Sequence, residues 1–212
     1  MTGRFLGRIG AAAVILGAMT GALRASERSL PLHHQPDARL GEVVFTLIGQ
    51  VTNAPPASAQ YGYLTGIAGM GNLFSGAPED ETTAYFTFFN DATTIAVRNN
   101  GPLKIVEREG TTTVYYNVAP HATFSDPDSF RDGQPVLIMT FKQMVIIDNE
   151  LATFSVVNSN NVTTANAFQK DGHSWVLGHR HDNFRWSLQG HSPETTPPDG
   201  YFAAYIVKVQ PD

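Results

Sequence analysis

The sequence predicts an all-β fold, an antiparallel meander of about 9–11 strands that closes into a barrel or a strongly curled sheet. Three observations predict it. Apolar and polar residues alternate with a period of two in segments rich in Thr, Val, Tyr and Phe, which is the pattern of half-buried strands. Turn-forming Asn, Asp and Gly separate these segments. One segment, Val136 to Ile147, is apolar on both faces.

The alternation marks the first, middle and last strands of this meander. In the first strand one face carries only apolar side chains. In the segment from Thr83 to Phe89, one face carries Ala84, Phe86 and Phe88 and the other carries Thr83, Tyr85 and Thr87. The last strand runs from Tyr201 to Val209. The residues predicted to share the apolar face of the first strand are Val43, Phe45, Leu47 and Val51.

Four two-residue turns predict the register of the meander, because residues paired across such a turn face the same side. The pairs they predict are Ile105 with Val114, Ile146 with Leu151, Phe168 with Trp175, and Phe184 with His181. The turns are Glu109-Gly110, Asp148-Asn149, Asp171-Gly172 and Asp182-Asn183.

The two-faced segment from Val136 to Ile147 favours a barrel. As a straight strand it would be about 40 Å long. A strand of that length with two apolar faces is expected to bend and to be covered on both sides, which a barrel or a curled sheet provides. The alternative architecture is a β-sandwich.

The N-terminal residues have the layout of a secretory signal peptide. Arg4 and Arg8 precede an apolar run from Ile9 to Met19, and small residues follow. We therefore expect a cleavable signal peptide at 1–25, a flexible leader at 26–41 and a single β domain at 42–212. An uncleaved anchor and an ordinary N-terminal helix are the alternatives. The expected location is outside the cytoplasm, secreted or periplasmic, with no membrane span after removal of the signal.

Charge and cysteine content exclude several classes of function. Loss of the predicted signal removes three arginines and no acid, which takes the formal net charge from −5 to −8. Nucleic-acid binding requires clustered Lys and Arg, and the mature part has no such cluster. The chain contains no cysteine, so disulfides, cysteine catalysis and thiolate metal sites are excluded.

The first candidate site surrounds the sequence Gly178-His179-Arg180-His181. On a strand, His179 and His181 would project to the same face, a spacing that suits two imidazole ligands of a transition metal such as zinc. The same stretch supplies apolar side chains, and the alternative interpretation is a pair of hydrogen-bonded histidines at a pocket rim. The predicted pocket residues are Trp175, Leu177, His179, His181, Phe184 and Trp186.

The second candidate site is the loop from Ser125 to Gly133, which places Asp126, Asp128 and Asp132 within seven residues. Carboxylate oxygens are the ligands of calcium. The alternative is that these residues only shape turns through their own backbone. We expect no cofactor, with zinc at the histidine pair or calcium at this loop as the exceptions.

In strand count and meander, the chain is similar to small exported β-barrels such as the lipocalin-like, dirigent and allene-oxide-cyclase groups. The lipocalin Gly-x-Trp signature is missing, since the only tryptophans are Trp175 and Trp186, and fold-level similarity carries no function with it. No catalytic signature is present. We therefore expect a non-catalytic barrel with a binding or a structural role. In the binding role its ligand is a small apolar molecule, and the sequence leaves the oligomeric state undetermined. The alternative is a barrel-type enzyme, an isomerase or cyclase or a metal-assisted enzyme, using the predicted pocket.

Overall fold

The computed structural model describes residues 33–192 and 199–210, and in this part of the chain ten strands and one short helix are found. The elements are β1 (Val43–Ala54), β2 (Ala57–Ile67), β3 (Phe86–Asn100), β4 (Leu103–Tyr116), the 3₁₀ helix (Pro127–Arg131), β5 (Gln134–Asp148), β6 (Thr153–Ala165), β7 (Phe168–Lys170), β8 (His173–Trp175), β9 (Asn183–His191) and β10 (Gly200–Val209). The predicted signal peptide lies outside the described residues.

Eight of these strands form a closed antiparallel barrel, which confirms the predicted fold class. Around the barrel the order is β1-β10-β9-β6-β5-β4-β3-β2, and β2 pairs with β1 to close it. Every neighbouring pair is antiparallel, and β7 and β8 form a separate two-stranded hairpin between β6 and β9. Among the described residues, no helix has the length and apolar character needed to cross a membrane.

One of the four predicted turns has the predicted register, and a second is found with a different one. At Asp171-Gly172, Phe168 pairs with Trp175 as predicted. The connection after Asp148 is also present, but Asp148 pairs with Thr153, so that four residues lie between the paired ends. Ile146 consequently lies opposite Ser155, and the predicted Ile146–Leu151 pair is wrong.

The predicted turn at Glu109-Gly110 is wrong, because both residues lie inside β4. Gly110 pairs with Ala92 of β3 and Phe141 of β5. A Cβ atom at this position would overlap the carbonyl oxygen of Asp91. The glycine therefore permits close approach of two strands inside a sheet. In the sequence it had been interpreted as a turn residue.

The predicted turn at Asp182-Asn183 is also wrong. Asn183 begins β9, and Phe184 pairs with Asn160 of β6 and Lys208 of β10 instead of His181. Asp182 ends the preceding turn, where the backbone N–H of His179 donates to its Oδ2 atom at 2.9 Å. The aspartate stabilises a turn, as its residue type favours, but that turn lies before the strand.

The long strand predicted at Val136 to Ile147 is confirmed as β5. Its inward face, including Leu137, Met139 and Val145, is buried in the barrel. The expectation that both faces are covered is wrong at the C-terminal part, where Met144 is 44% exposed and Ile146 is 38% exposed. Closure of the barrel buries one face of a strand without requiring a second layer outside it.

The barrel has two different ends. At the hairpin end, defined by β7 and β8, Phe168 packs against Phe86 and Tyr116 with ring centroids 5.5 and 4.9 Å apart. The opposite end, which we call the Arg108 end, carries three connections between strands. They are β1–β2 at residues 55–56, β3–β4 at 101–102 and β5–β6 at 149–152.

Part of the predicted leader is held at the hairpin end. The backbone N–H of His34 donates to Ser174 at 2.7 Å, and the N–H of Val176 donates to the carbonyl oxygen of His34 at 2.9 Å. Residues 33–41 therefore pack alongside the hairpin and the end of β2, while the start of the predicted leader lies outside the described residues.

Residues 117–133 form a strap across the outer face of β2 and β3. Phe130 is fully buried there against Tyr61, at a centroid distance of 5.4 Å. The Arg131 guanidinium lies 3.5 Å from the centroid of the Phe89 ring and pairs with Asp91. The strap thus builds a second, smaller apolar cluster outside the barrel.

Candidate ligand site in the barrel

A belt of uncharged polar side chains crosses the middle of the barrel. Gln60 of β2 and Gln143 of β5 exchange two hydrogen bonds, each 3.1 Å long, although their strands are not neighbours. Asn90 donates to Gln60 at 3.2 Å, and Gln143 donates to Asn158 at 3.0 Å. All four amides are buried. The belt connects opposite walls of the barrel through hydrogen bonds that water does not screen.

Several buried polar atoms of this interior lack a hydrogen-bond partner among the described residues. They are Ser58 Oγ, Asn90 Oδ1, Asn158 Nδ2 and Trp186 Nε1. Buried polar atoms are normally bonded to protein or to water, so these atoms are bonding positions for water or for a polar group of a ligand. Three of the four belong to β2, β3 and β6 and lie within or beside the amide belt.

Arg108 of β4 extends the amide belt toward the Arg108 end of the barrel. Its side chain donates to Asn53 Oδ1 at 2.9 Å, to Gln143 Oε1 at 3.3 Å and to Thr94 Oγ1 at 3.4 Å. Burial lowers the pKa of the Arg108 guanidinium, because desolvation disfavours the charged form. Each of these acceptors is a neutral oxygen.

A cavity of about 50 Å³ opens between Arg108 and the apolar wall of the barrel. Polar groups of Asn53, Gln60, Arg108, Ser192 and Asp199 line it in part. The apolar lining comes from Val51, Val145, Ile147, Phe154, Val156, Leu188 and Phe202. The volume is far below the several hundred Å³ of a typical site for a drug-sized ligand, so the barrel interior is nearly filled.

Glycines allow aromatic rings to fill much of that interior. A Cβ atom at inward-facing Gly49 would meet the ring of Phe202 at 2.7 Å and that of Phe88 at 3.0 Å. A Cβ at Gly190 would overlap the ring of Phe154. The two rings that border the cavity, Phe154 and Phe202, are thus seated over glycine backbone.

The six residues of the predicted pocket are found in three different environments. Leu177, Phe184 and Trp186 are buried in the core, and Trp175 is half-buried on β8. His179 and His181 are exposed in the turn before β9, so the expected strand with both imidazoles on one face is wrong. The cavity beside Arg108 is lined by none of the six.

The histidine pair is engaged in turn and surface contacts. His179 Nε2 lies 3.0 Å from Gln35 Nε2, and the backbone N–H of His181, which has a φ of 73°, donates to Val162. In the described part of the chain, no group of three His, Asp or Glu side chains is arranged to hold a metal ion. Zinc binding by this pair stays a prediction.

The three aspartates of the predicted calcium loop lie in the strap. Asp128 is 3.5 Å from Arg131, and Asp132 is 3.0 Å from His121 Nε2. Asp126 precedes the 3₁₀ helix, and its carbonyl oxygen accepts from Ser129. Two of the carboxylates therefore contact basic side chains of the strap, and calcium binding by this loop also stays a prediction.

A larger concavity of about 630 Å³ lies on the outer wall of the barrel, where β4, β5, β6 and β9 curve past one another. Glu109, Lys142, Ser159 and Arg185 form one row across it in register. Most of the residues that line this groove are polar, and its charged side chains are exposed.

Sequence reasoning missed Arg108 and the amide belt. Along β4, Arg108 lies on the same face as Val106, Thr112 and Val114, whose side chains are buried in the barrel. This alternation was the signal in the sequence that could have identified Arg108 as an inward-facing residue. Because a turn was expected at Glu109-Gly110, the residues of β4 were assigned to two strands and the alternation was not recognised.

Comparison of the chain with protein-family models, with curated proteins and with solved structures gave no match.

Proposed function

We propose that this chain is an exported, non-catalytic binding protein that takes a small, mainly apolar molecule at the Arg108 end of its barrel. The observation that carries the proposal is the cavity at that end, where seven apolar side chains face a small number of polar groups. Apolar walls with a few placed polar groups are the usual composition of a small-molecule site.

The size of the cavity limits the ligand. A space of about 50 Å³ holds a few non-hydrogen atoms, so a larger ligand inserts one end and leaves the remainder at the rim. The limited volume favours binding over the enzyme alternative, which requires a cavity reached by His179 or His181. Two of the five polar residues that line the cavity, Asn53 and Gln60, are amides, which hydrogen-bond a ligand but do not exchange protons near neutral pH.

The proposal is tested with hexanol, an uncharged molecule with a short apolar tail. Titration followed by methyl NMR is expected to shift the resonances of Val156 and Leu188, which line the cavity, in a saturable manner. The methyl groups of Leu64, which is buried and does not line it, are expected to stay unshifted.

A matched pair of variants locates the site. Ser192→Trp places a large ring at the cavity rim, whereas Ser155→Trp places the same ring at an exposed position on β6. We expect the first to abolish hexanol binding and the second to leave it unchanged. Absence of saturable shifts in the native protein, or equal binding by both variants, contradicts the proposed function.

A further inference from the structure

We infer that the ligand of this site carries a carboxylate, which pairs with the Arg108 guanidinium, and that the ligand class is therefore a small monocarboxylic acid with an apolar tail. This inference rests on the proposed function and names the ligand chemistry of the same cavity. Its basis is the hydrogen bonding and charge environment of Arg108.

The guanidinium retains donors that the described residues do not use. An arginine side chain has five N–H groups, and the three hydrogen bonds to Asn53, Gln143 and Thr94 use one each on Nη2, Nη1 and Nε. One N–H on each terminal nitrogen remains. Two such donors form the fork that binds a carboxylate bidentately.

The positive charge of Arg108 also lacks an ion-pair partner in the described part of the chain. Some other cations there do have one, whereas Arg185, which is exposed to water, does not. Arg98 pairs with Glu107, Arg131 with Asp91, and Lys208 with Asp182. A guanidinium partly removed from water and bonded only to neutral oxygens is in an unfavourable environment, and an anion entering the cavity relieves it.

The dimensions and lining of the cavity fit a carboxylate with a tail. The space of about 50 Å³ accommodates a carboxylate beside Arg108. Phe154, Phe202 and Ile147 provide the apolar contact for the tail, which then continues toward the rim. Gln60 lies in the same lining and supplies amide groups beside the carboxylate position.

Asp199 is a negative charge that opposes a carboxylate ligand in the same cavity. It lines the same cavity, and its Oδ2 atom accepts the backbone N–H of Asn53. A carboxylate ligand is repelled by Asp199, whereas a zwitterion such as an amino acid would be attracted by it through its ammonium group. Asp199→Asn is therefore expected to strengthen binding of a monocarboxylate severalfold, and weakening overturns the assignment of ligand class.

Hexanoate and hexanol provide the direct test, since they share the same tail length and differ in the head group. At neutral pH we expect hexanoate to bind about tenfold more tightly than hexanol, which corresponds to about 1.4 kcal/mol. Arg108→Gln is expected to remove the difference and to retain hexanol binding, which also reports that the variant is folded. Arg185→Gln, an exposed arginine on the outer face of β9, is the matched control and is expected to behave as the native protein.

The outcomes separate the inference from the proposed function. Equal affinities of the native protein for both compounds overturn the carboxylate and leave the binding site in place. Binding of neither compound overturns the proposed function itself. A further variant, Glu194→Gln, tests a carboxylate of the chain that lies outside the described residues. Hexanoate affinity is expected to be unchanged in it, whereas a hexanoate preference seen only in Glu194→Gln identifies Glu194 as the partner of Arg108 and overturns the inference.

Discussion

The hairpin end and the Arg108 end belong to the same barrel but are filled with different chemistry. At the hairpin end, the rings of Phe86, Tyr116 and Phe168 pack on one another. Toward the Arg108 end, the inward positions of the same strands β3, β4 and β5 carry Asn90, Arg108 and Gln143 in a hydrogen-bonded network. The strands continue without interruption between the two regions.

The difference shows how one barrel can separate stability from binding. Aromatic packing is favourable whatever the ligand state, because it removes apolar surface from water. A buried polar network contributes little net stability even when it is satisfied, and less when some of its atoms lack partners. The Arg108 end therefore has bonding capacity left for a ligand, and the hairpin end keeps the barrel folded.

The largest expected effect is at the hairpin end. Phe168→Ala removes a buried ring that contacts Phe86 and Tyr116, and a Phe→Ala change in a core costs about 3–5 kcal/mol. Urea unfolding measures it. The control is Tyr201→Ala, an exposed ring, with an expected cost below about 1 kcal/mol. Similar losses for both variants contradict a stabilising role of the hairpin end.

An intermediate effect is expected in the amide belt. Gln143→Leu removes the hydrogen bonds that Gln143 makes with Gln60, Asn158 and Arg108 and leaves Asn158 Oδ1 without its partner, at a cost of about 2–3 kcal/mol. Gln189→Leu, at an exposed position on β9, is the control and is expected to be nearly neutral.

A double-mutant cycle sharpens this prediction. The reciprocal bonds between Gln60 and Gln143 predict that the double variant with leucine at both positions loses less free energy of unfolding than the sum of the single variants, by about 1 kcal/mol. Strict additivity indicates that the two amides do not act together.

The smallest expected effect concerns the strap on the outer face of β2 and β3. His121 is exposed, and its pKa is raised by the hydrogen bonds of its ring to the carbonyl oxygen of Ala119 and to Asp132. Because the folded pKa lies above the unfolded one, the stabilisation is complete below the unfolded pKa and is lost as the pH rises through the folded pKa. For an exposed pair it amounts to at most about 0.5 kcal/mol.

An NMR titration of the His121 ring measures this shift directly. Asp132→Asn is expected to lower the pKa of His121 toward its ordinary value without removing the Ala119 contribution. An unchanged pKa in that variant contradicts the assigned contact.

The sequence anticipated the fold class better than the site. Period-two alternation located β1, β5 and β10 and only the first four residues of β3, since burial of one face imposes that pattern locally. It placed the turn at Asp171-Gly172 in register, and it placed two others wrongly. The errors at Gly110 and Asp182 have a common cause: glycine and aspartate are favoured in turns, and the same residues also serve close strand contacts and caps.

By itself, then, the sequence determined that the chain forms an antiparallel β domain without disulfides, and its long strand β5 favoured a curled sheet over a sandwich. These properties follow from composition and local periodicity. Only the tertiary structure decided which polar residues face inward together. Gln60 and Gln143 are 83 residues apart, and they meet because closure of the barrel brings non-neighbouring strands across a common interior. Arg108 lines the cavity for the same reason, and no local pattern indicates which residues lie on the opposite wall.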